Sequence, residues 1–257
     1  MAILYVASEA AELRPFASLL TGLRKLKWPV DYAFEGILGS RRILLAANGA
    51  GPRLASHVVE IAIRAGMVAE LSSSRLEAVV STGYCGALEP ALSEHQIVVA
   101  SEIISAADGE HIHCATVEAD SPFVQGPILS QDRVAGTLEE KQQLASQGAI
   151  AVDMESSGVA ARTRRAGLPV CCIKVISDRA QESFPFDLNR MRTAEGRIAR
   201  GKIIRHAAGH PNLVPALFRL RRRAADAATA LGEFLVSCRI ITESNIGEPN
   251  RGDSSSS

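Results

Sequence analysis

Residues 149–180, AIAVDMESSGVAARTRRAGLPVCCIKVISDRA, read as the end of one strand, a helix, and a second strand that closes on Ser177 and Asp178. Ala149 to Val152 is apolar. From Ser156 to Ala166, helix formers put Val159, Ala160 and Thr163 on one face and Arg162, Arg164 and Arg165 on the other. Gly167 and Pro169 stop that helix. Val170 to Ile176 is a nearly unbroken run of β-branched residues and cysteine, the pattern of a strand covered on both faces, as in a parallel sheet. This unit predicts an α/β fold. It also sets two carboxylates, Glu155 and Asp178, just past strand ends, on the side where open α/β sheets collect ligands.

Working outward, Ala2 to Ala7 is a first strand. It feeds a helix drawn from SEAAELRPFASLLTGLRKLKW (8–28) through Ser8 and Glu9, with Glu12 in or just before the first turn. Val30 to Gly36 and Arg41 to Ala47 are two strands linked at Leu38-Gly39-Ser40. The turn NGAGPR (48–53) leads into a helical pattern over Leu54 to Ala65. The strand Ala78 to Ser81 ends in a second glycine-rich turn, Thr82 to Leu88. Such turns expose backbone N–H groups to an anion or a ribose, although sterics alone account for many of them. A strand follows at Gln96 to Ser101, then a strand and its exit loop over Ile128 to Val134 and a polar helix over Thr137 to Ser146. Beyond Asp178, Phe184 and Phe186 flank Pro185 in an irregular segment suited to a lid or an apolar wall. Two more helices are expected, Ala194 to Ala207 and Val214 to Ile240.

With 257 residues, 47% apolar and 22% charged at zero formal charge, the chain is expected to form one domain over residues 1–241, with a polar, disordered tail over 242–257. Matched charge and few aromatic residues argue against a nucleic-acid groove. Neither a signal segment nor an apolar run of membrane-spanning length is seen, so the expected location is cytoplasmic. Arg219, Arg221, Arg222 and Arg223 would suit peripheral contact with an anionic membrane, but they fit the solvated face of a terminal packing helix better. Five cysteines without C-x-x-C spacing predict free thiols. His111 and His113 share one face of a strand without further ligands at zinc spacing, which fits a polar strand better than a metal site.

Cleavage of a glycosidic bond passes through a cationic sugar. It needs a proton for the leaving atom, a base for water, and anchors for the sugar hydroxyls. Glu12, Glu155 and Asp178 would meet those needs if they converge on one edge of the sheet; each is also a plausible helix cap or surface charge.

NGAGPRLAS, VVSTGYCGALEPALSEHQIVVASEI, AVDMESSGVA and VISD together resemble the nucleoside phosphorylase/nucleosidase superfamily, on its methylthioadenosine/S-adenosylhomocysteine nucleosidase side. FPFDLNRM and HPNLVPALFRLRRRAADAATAL more narrowly resemble the hopanoid-associated branch, whose members remove adenine from adenosylhopane. The resemblance implies a single-domain three-layer fold with a central mixed, partly barrel-like sheet flanked by helices, a homodimer, a small-molecule nucleoside substrate, and neither metal nor cofactor. By the same resemblance Asp178 protonates the purine at N7 and Ser177 holds it. Glu155 binds the ribose 2′- and 3′-hydroxyls, Met154 packs on the sugar, and Cys85 and Gly86 offer backbone groups around the nucleoside. Val134 and Ala135 read the adenine edge. Glu12 activates water, with Glu9 as the alternative because Ala10 and Ala11 interrupt the acidic run; Tyr84 stands where a small residue is usual. Phosphorylases of the superfamily carry an arginine before the second glycine turn. Here Val79-Val80-Ser81-Thr82-Gly83 occupies that place, which favours water, while Arg53 keeps phosphorolysis open. A binding protein that retains the fold without the chemistry is the third reading.

Overall fold

The alternation of the first strand sorts its side chains between two cores. Ala2, Leu4 and Val6 face one of them, while Ile3, Tyr5 and Ala7 face the other. The computed structural model describes residues 1–67, 76–193, 197, 209–210 and 213–241. The expected helix over 194–207 and the tail over 242–257 lie outside the described residues, except for residue 197. In chain order the elements begin with β1 (Ala2–Ala7), α1 (Ala10–Ser18), β2 (Thr21–Lys25), β3 (Tyr32–Leu38), β4 (Arg41–Ala47) and α2 (Pro52–Met67). Next come β5 (Leu76–Ala87), β6 (Ile97–Ser105), β7 (His111–His113), β8 (Val117–Glu118), β9 (Val124–Ser130) and α3 (Leu138–Ala145). The last are β10 (Ala151–Asp153), α4 (Ser156–Arg165), β11 (Val170–Asp178), α5 (Val214–Ser237) and β12 (Arg239–Ile240).

The main sheet runs β10-β9-β6-β11-β5-β1-β4-β3-β2, and β10 also pairs with β5. That extra pairing closes β5, β11, β6, β9 and β10 into a small barrel, while β1, β4, β3 and β2 extend from β5 as an open wing, β7 pairs with β6, and β8 with β12 forms a separate ribbon. One layer of helices, α2 and α4, covers the core containing Val6, Val79 and Ile176. On the opposite face α1 and α5 bury Phe16, Leu231, Phe234 and Leu235 against Tyr5, Val80 and Ile173. The fold is the expected three-layer α/β arrangement with a mixed, partly barrel-like sheet.

Three local expectations are corrected. The stretch after β1 is helical only to Ser18; residues 21–25 form an exposed edge strand, with Gly22 at φ 61° near its start. Thr82 to Ala87 is not a turn, because β5 runs straight through it and pairs with β11. Finally, β11 has a parallel neighbour on one side only, since its other neighbour, β6, is antiparallel.

Close approach of α4 to α2 depends on Gly158, where an added Cβ would sit 1.9 Å from the Pro52 carbonyl oxygen. Gly158→Ala is therefore expected to push the two helices apart and lower stability by roughly 1–3 kcal/mol or more, read as a reduced urea midpoint with unchanged m.

Candidate active site

Glu12, Cys85, Gly86, Val134, Ala135, Met154, Glu155, Ser177 and Asp178 all line a single cavity of about 170 Å³, which Glu9 and Arg53 do not reach. Glu12 enters from α1, Cys85 and Gly86 from β5, and Val134 and Ala135 from the loop after β9. Met154 and Glu155 come from the β10–α4 junction, while Ser177 and Asp178 stand at the end of β11. Phe184 forms part of the wall. Glu9 instead borders a neighbouring hollow with Asp31 and Arg197, so Glu12 is the acid that shares space with Glu155 and Asp178.

Glu12 is both helix cap and pocket residue. Glu9 and Glu12 form a capping box at the start of α1, in which Glu12 Oε2 accepts from the Glu9 N–H and the Ser8 hydroxyl, each at 2.7 Å. Its Oε1 accepts from the Tyr84 N–H at 3.0 Å. Gly83, at φ 113°, makes this possible: a Cβ there would lie 2.5 Å from Oε1. The glycine predicted as part of a turn thus makes room for a carboxylate within a strand. Burial raises the Glu12 pKa, and the three donors only partly oppose it. The Tyr84 hydroxyl points elsewhere, donating to the Ala224 carbonyl at 2.8 Å and tying β5 to α5.

Glu155 is freed for the pocket by a neighbour. Asp153 caps α4, accepting from the Ser156 N–H at 3.0 Å and its hydroxyl at 2.7 Å, while the Glu155 side chain makes no capping bond. Instead Glu155 Oε1 accepts from the Gly51 N–H at 3.1 Å. The first glycine turn does receive an anion, and that anion belongs to the chain itself. Beneath it lies the fully buried Lys174, whose Nζ is 2.8 Å from Asp153, 3.8 Å from Glu155 and 3.0 Å from the Thr82 carbonyl oxygen. Burial raises the Glu155 pKa; Lys174 works against that rise, and Asp153 and Glu12 add to it.

Asp178 Oδ1 accepts from the Ser177 hydroxyl at 2.7 Å. Its Oδ2 lies 2.5 Å from Nζ of Lys141, which also reaches the Arg179 carbonyl oxygen. Arg223 is not solvated as its run of arginines implied. It donates to the Ser177 carbonyl oxygen at 3.1 Å and pairs with Glu182 and Glu94, clasping α5 onto the loop after β11. Arg219, Arg221 and Arg222 are exposed, beside a Phe218 that is 65% exposed.

Sequence reasoning missed Asp153, Lys174 and Lys141. A lone lysine inside VCCIKVIS was a usable signal for Lys174, because a charge in a strand covered on both faces needs a partner. No such signal marks Lys141 in LEEKQQLA. Arg53, kept open as a phosphate ligand, is exposed in the first turn of α2 and does not line the cavity. Among the described residues there is no cluster of three or more His, Cys, Asp or Glu able to hold a metal, and no helix is long and apolar enough to cross a membrane.

Residues 105–207, less than half of the chain, match the sequence profile of the Phosphorylase superfamily. No curated protein sequence matches the chain. Among solved structures, an S-adenosylhomocysteine nucleosidase from Streptococcus pyogenes superposes with a TM-score of 0.68 at 16% identity, covering 92% of this chain and 95% of that one. A 5′-methylthioadenosine/S-adenosylhomocysteine nucleosidase from Helicobacter pylori gives 0.64 at 19% identity, with 91% and 96% covered. The futalosine hydrolase of Helicobacter pylori also gives 0.64 at 19% identity, with 92% and 96% covered. At these identities the likeness is one of fold.

Proposed function

We propose that this chain is a nucleosidase of the phosphorylase superfamily, hydrolysing the N-glycosidic bond of a 5′-substituted adenosine and releasing adenine. The observation that carries this reading is the convergence of Glu12, Glu155 and Asp178 on one cavity from three separate parts of the fold. Asp178 donates the proton that lets the purine leave as a neutral base. Glu155 accepts the ribose hydroxyls, and its carboxylate supports the positive charge that develops on the sugar. Glu12 takes the proton of the attacking water; the raised pKa that burial gives it brings it closer to neutrality, which improves a general base.

Water is a better acceptor here than phosphate. Asp153 and Glu155 share the Lys174 ammonium, so it is the Glu12 carboxylate, held by the Ser8 hydroxyl and two backbone N–H groups, that would repel a phosphate anion in the cavity. Arg133 is the lining guanidinium, and it pairs with Glu140. The narrower substrate, an adenosine with a lipid-like 5′ group such as adenosylhopane, rests on the resemblance of the C-terminal segments; the cytoplasmic location and the homodimer belong to the same proposal, as does any peripheral membrane contact through α5.

Incubation with methylthioadenosine and with adenosylhopane, each with and without phosphate, is expected to yield free adenine and a free ribose product at a phosphate-independent rate. Strict dependence on phosphate would reassign the chain as a phosphorylase. No adenine from either nucleoside would overturn the nucleosidase reading.

A further inference from the structure

Lys141 has no part in the reaction outlined above, yet it is built into the site. It projects from α3 and is 1% exposed, with its ammonium 2.5 Å from Asp178 Oδ2 and 2.5 Å from the Arg179 carbonyl oxygen, and the Phe184 ring centred 5.9 Å away. Lysine is rarely buried so completely unless it is paired.

The start of α3 is anchored by the surrounding loops. Thr137 and Glu140 form its capping box, the Leu138 N–H donates to the Ser183 hydroxyl at 3.1 Å, and the Phe184 N–H donates to the Gly136 carbonyl at 3.0 Å. Asn189 grips Val134 on both backbone groups, at 2.8 and 3.0 Å. The segment that brings Val134 and Ala135 to the cavity therefore also delivers Lys141 to the back of Asp178.

Lys141 makes the two oxygens of Asp178 unequal. Oδ2 is occupied by the ammonium and packs over Gly86, where a Cβ would lie 3.0 Å away. Oδ1 faces the Ser177 hydroxyl at 2.7 Å, and that hydroxyl also reaches the Cys85 carbonyl oxygen at 3.2 Å. One hydroxyl proton serves one acceptor at a time. Ser177 donates to Oδ1 when Asp178 is ionised; when Oδ1 carries a proton, Ser177 turns its own proton to Cys85.

We propose that Lys141 is a positioning residue for protonation of the leaving base: by holding Oδ2 it confines the transferable proton of Asp178 to Oδ1, the oxygen that meets the Ser177 hydroxyl. The proposal rests on the nucleosidase reading. In the step, the electron pair of the bond between C1′ and the purine leaves with the base, and the Oδ1 proton moves to purine N7. Water adds its oxygen to C1′ and gives a proton to Glu12. Asp178 is left as a carboxylate against the Lys141 ammonium, a favourable product of the transfer. Solvent then returns a proton to Asp178 and accepts one from Glu12.

The test is a double-mutant cycle of Lys141→Met and Asp178→Asn, with adenine release followed in single turnover and folding checked by thermal unfolding. Lys141→Met alone is expected to lower kcat about 100-fold with KM changed less than about threefold. In the Asp178→Asn background it should cost nothing further. The ratio of adenine release to nitrophenolate release from 4-nitrophenyl riboside, whose leaving group departs without protonation, should fall by a similar factor. Equal losses on both substrates, additive losses in the cycle, or an unaffected kcat would overturn the proposal. Lys141→Gln, which keeps a donor without the charge, replaces Lys141→Met if the latter fails to fold. A native protein that releases no adenine would refute the nucleosidase reading itself, a result distinct from any of these.

Discussion

Asp178→Asn is expected to lower the rate of adenine release by about 10³-fold while leaving a folded protein. The amide fits the surroundings of the carboxylate. Its oxygen can accept from Lys141 Nζ, and its NH₂ can donate to Ser177 Oγ, whose own proton then turns to the Cys85 carbonyl oxygen. What the amide lacks is an acidic proton for the purine, so the base would have to leave as an anion. The variant also leaves the Lys141 ammonium without its counter-charge, with only neutral acceptors, the amide oxygen and the Arg179 carbonyl oxygen, around it. Thermal stability should therefore fall, and Lys141→Met in the same chain should restore part of it, because breaking a buried pair costs more than removing both partners. Adenine formation followed by absorbance or chromatography, beside a thermal melt of each variant, separates the two effects. Release at more than a tenth of the native rate would remove Asp178 as proton donor, and with it the leaving-group half of the mechanism.

The legible parts of the chain are those where a residue carries its own local signal. Gly167 and Pro169 mark the end of α4 before the strand at Val170, and Thr137 with Glu140 marks the start of α3, all within a residue or two of the observed bounds. Gly83 was a misleading signal. Its positive φ looks like turn chemistry, yet its role is to admit a carboxylate from Glu12, far away in sequence, to the middle of a strand. Glu12, Glu155 and Asp178 stand at strand ends and helix starts, where sequence patterns are strongest, and for that reason they could be named in advance, whereas Asp153, which also lines the cavity, was missed. Of the cations only Lys174, alone in an apolar strand, carried a local signal. Lys141 sits in a helix of mostly polar residues, and its burial depends on where the end of β11 arrives. Arg223 belongs to a basic run whose members have different surroundings, and only its clasp on Ser177 and Glu182 separates it from Arg221 and Arg222. Which charges pair over long range is a property of the assembled fold: the lone lysine in VCCIKVIS signals that Lys174 needs a partner, and local periodicity does not say which.

Lys174→Met tests the largest of these pairings and is expected to cost about 3–5 kcal/mol, a substantial part of an ordinary domain's stability. The side chain is wholly buried, and its removal strands Asp153 and Glu155 in the interior without a cation. Burial alone would lower the Lys174 pKa, but Asp153 and Glu155 outweigh it and raise the pKa above the usual lysine value. Its stabilising contribution is therefore complete at every pH below the unfolded lysine pKa of about 10.4, and is lost only as pH climbs through the higher folded value. Glu155 has the opposite consequence. Its folded pKa is raised, so above the unfolded value of about 4.3 the native state keeps a proton that the unfolded chain releases, and stability falls as pH rises. Without Lys174 to oppose it, that rise becomes larger and the fall steeper. Urea unfolding at about pH 5.5 and about pH 8.5 should show Lys174→Met nearest to the native protein in the acidic buffer and furthest from it in the alkaline one. Adding Glu155→Gln should shrink the difference between the two buffers, since an amide has no proton to lose. A deficit below about 1 kcal/mol, or one that does not change with pH, would mean that the buried carboxylates beneath the cavity do not depend on Lys174.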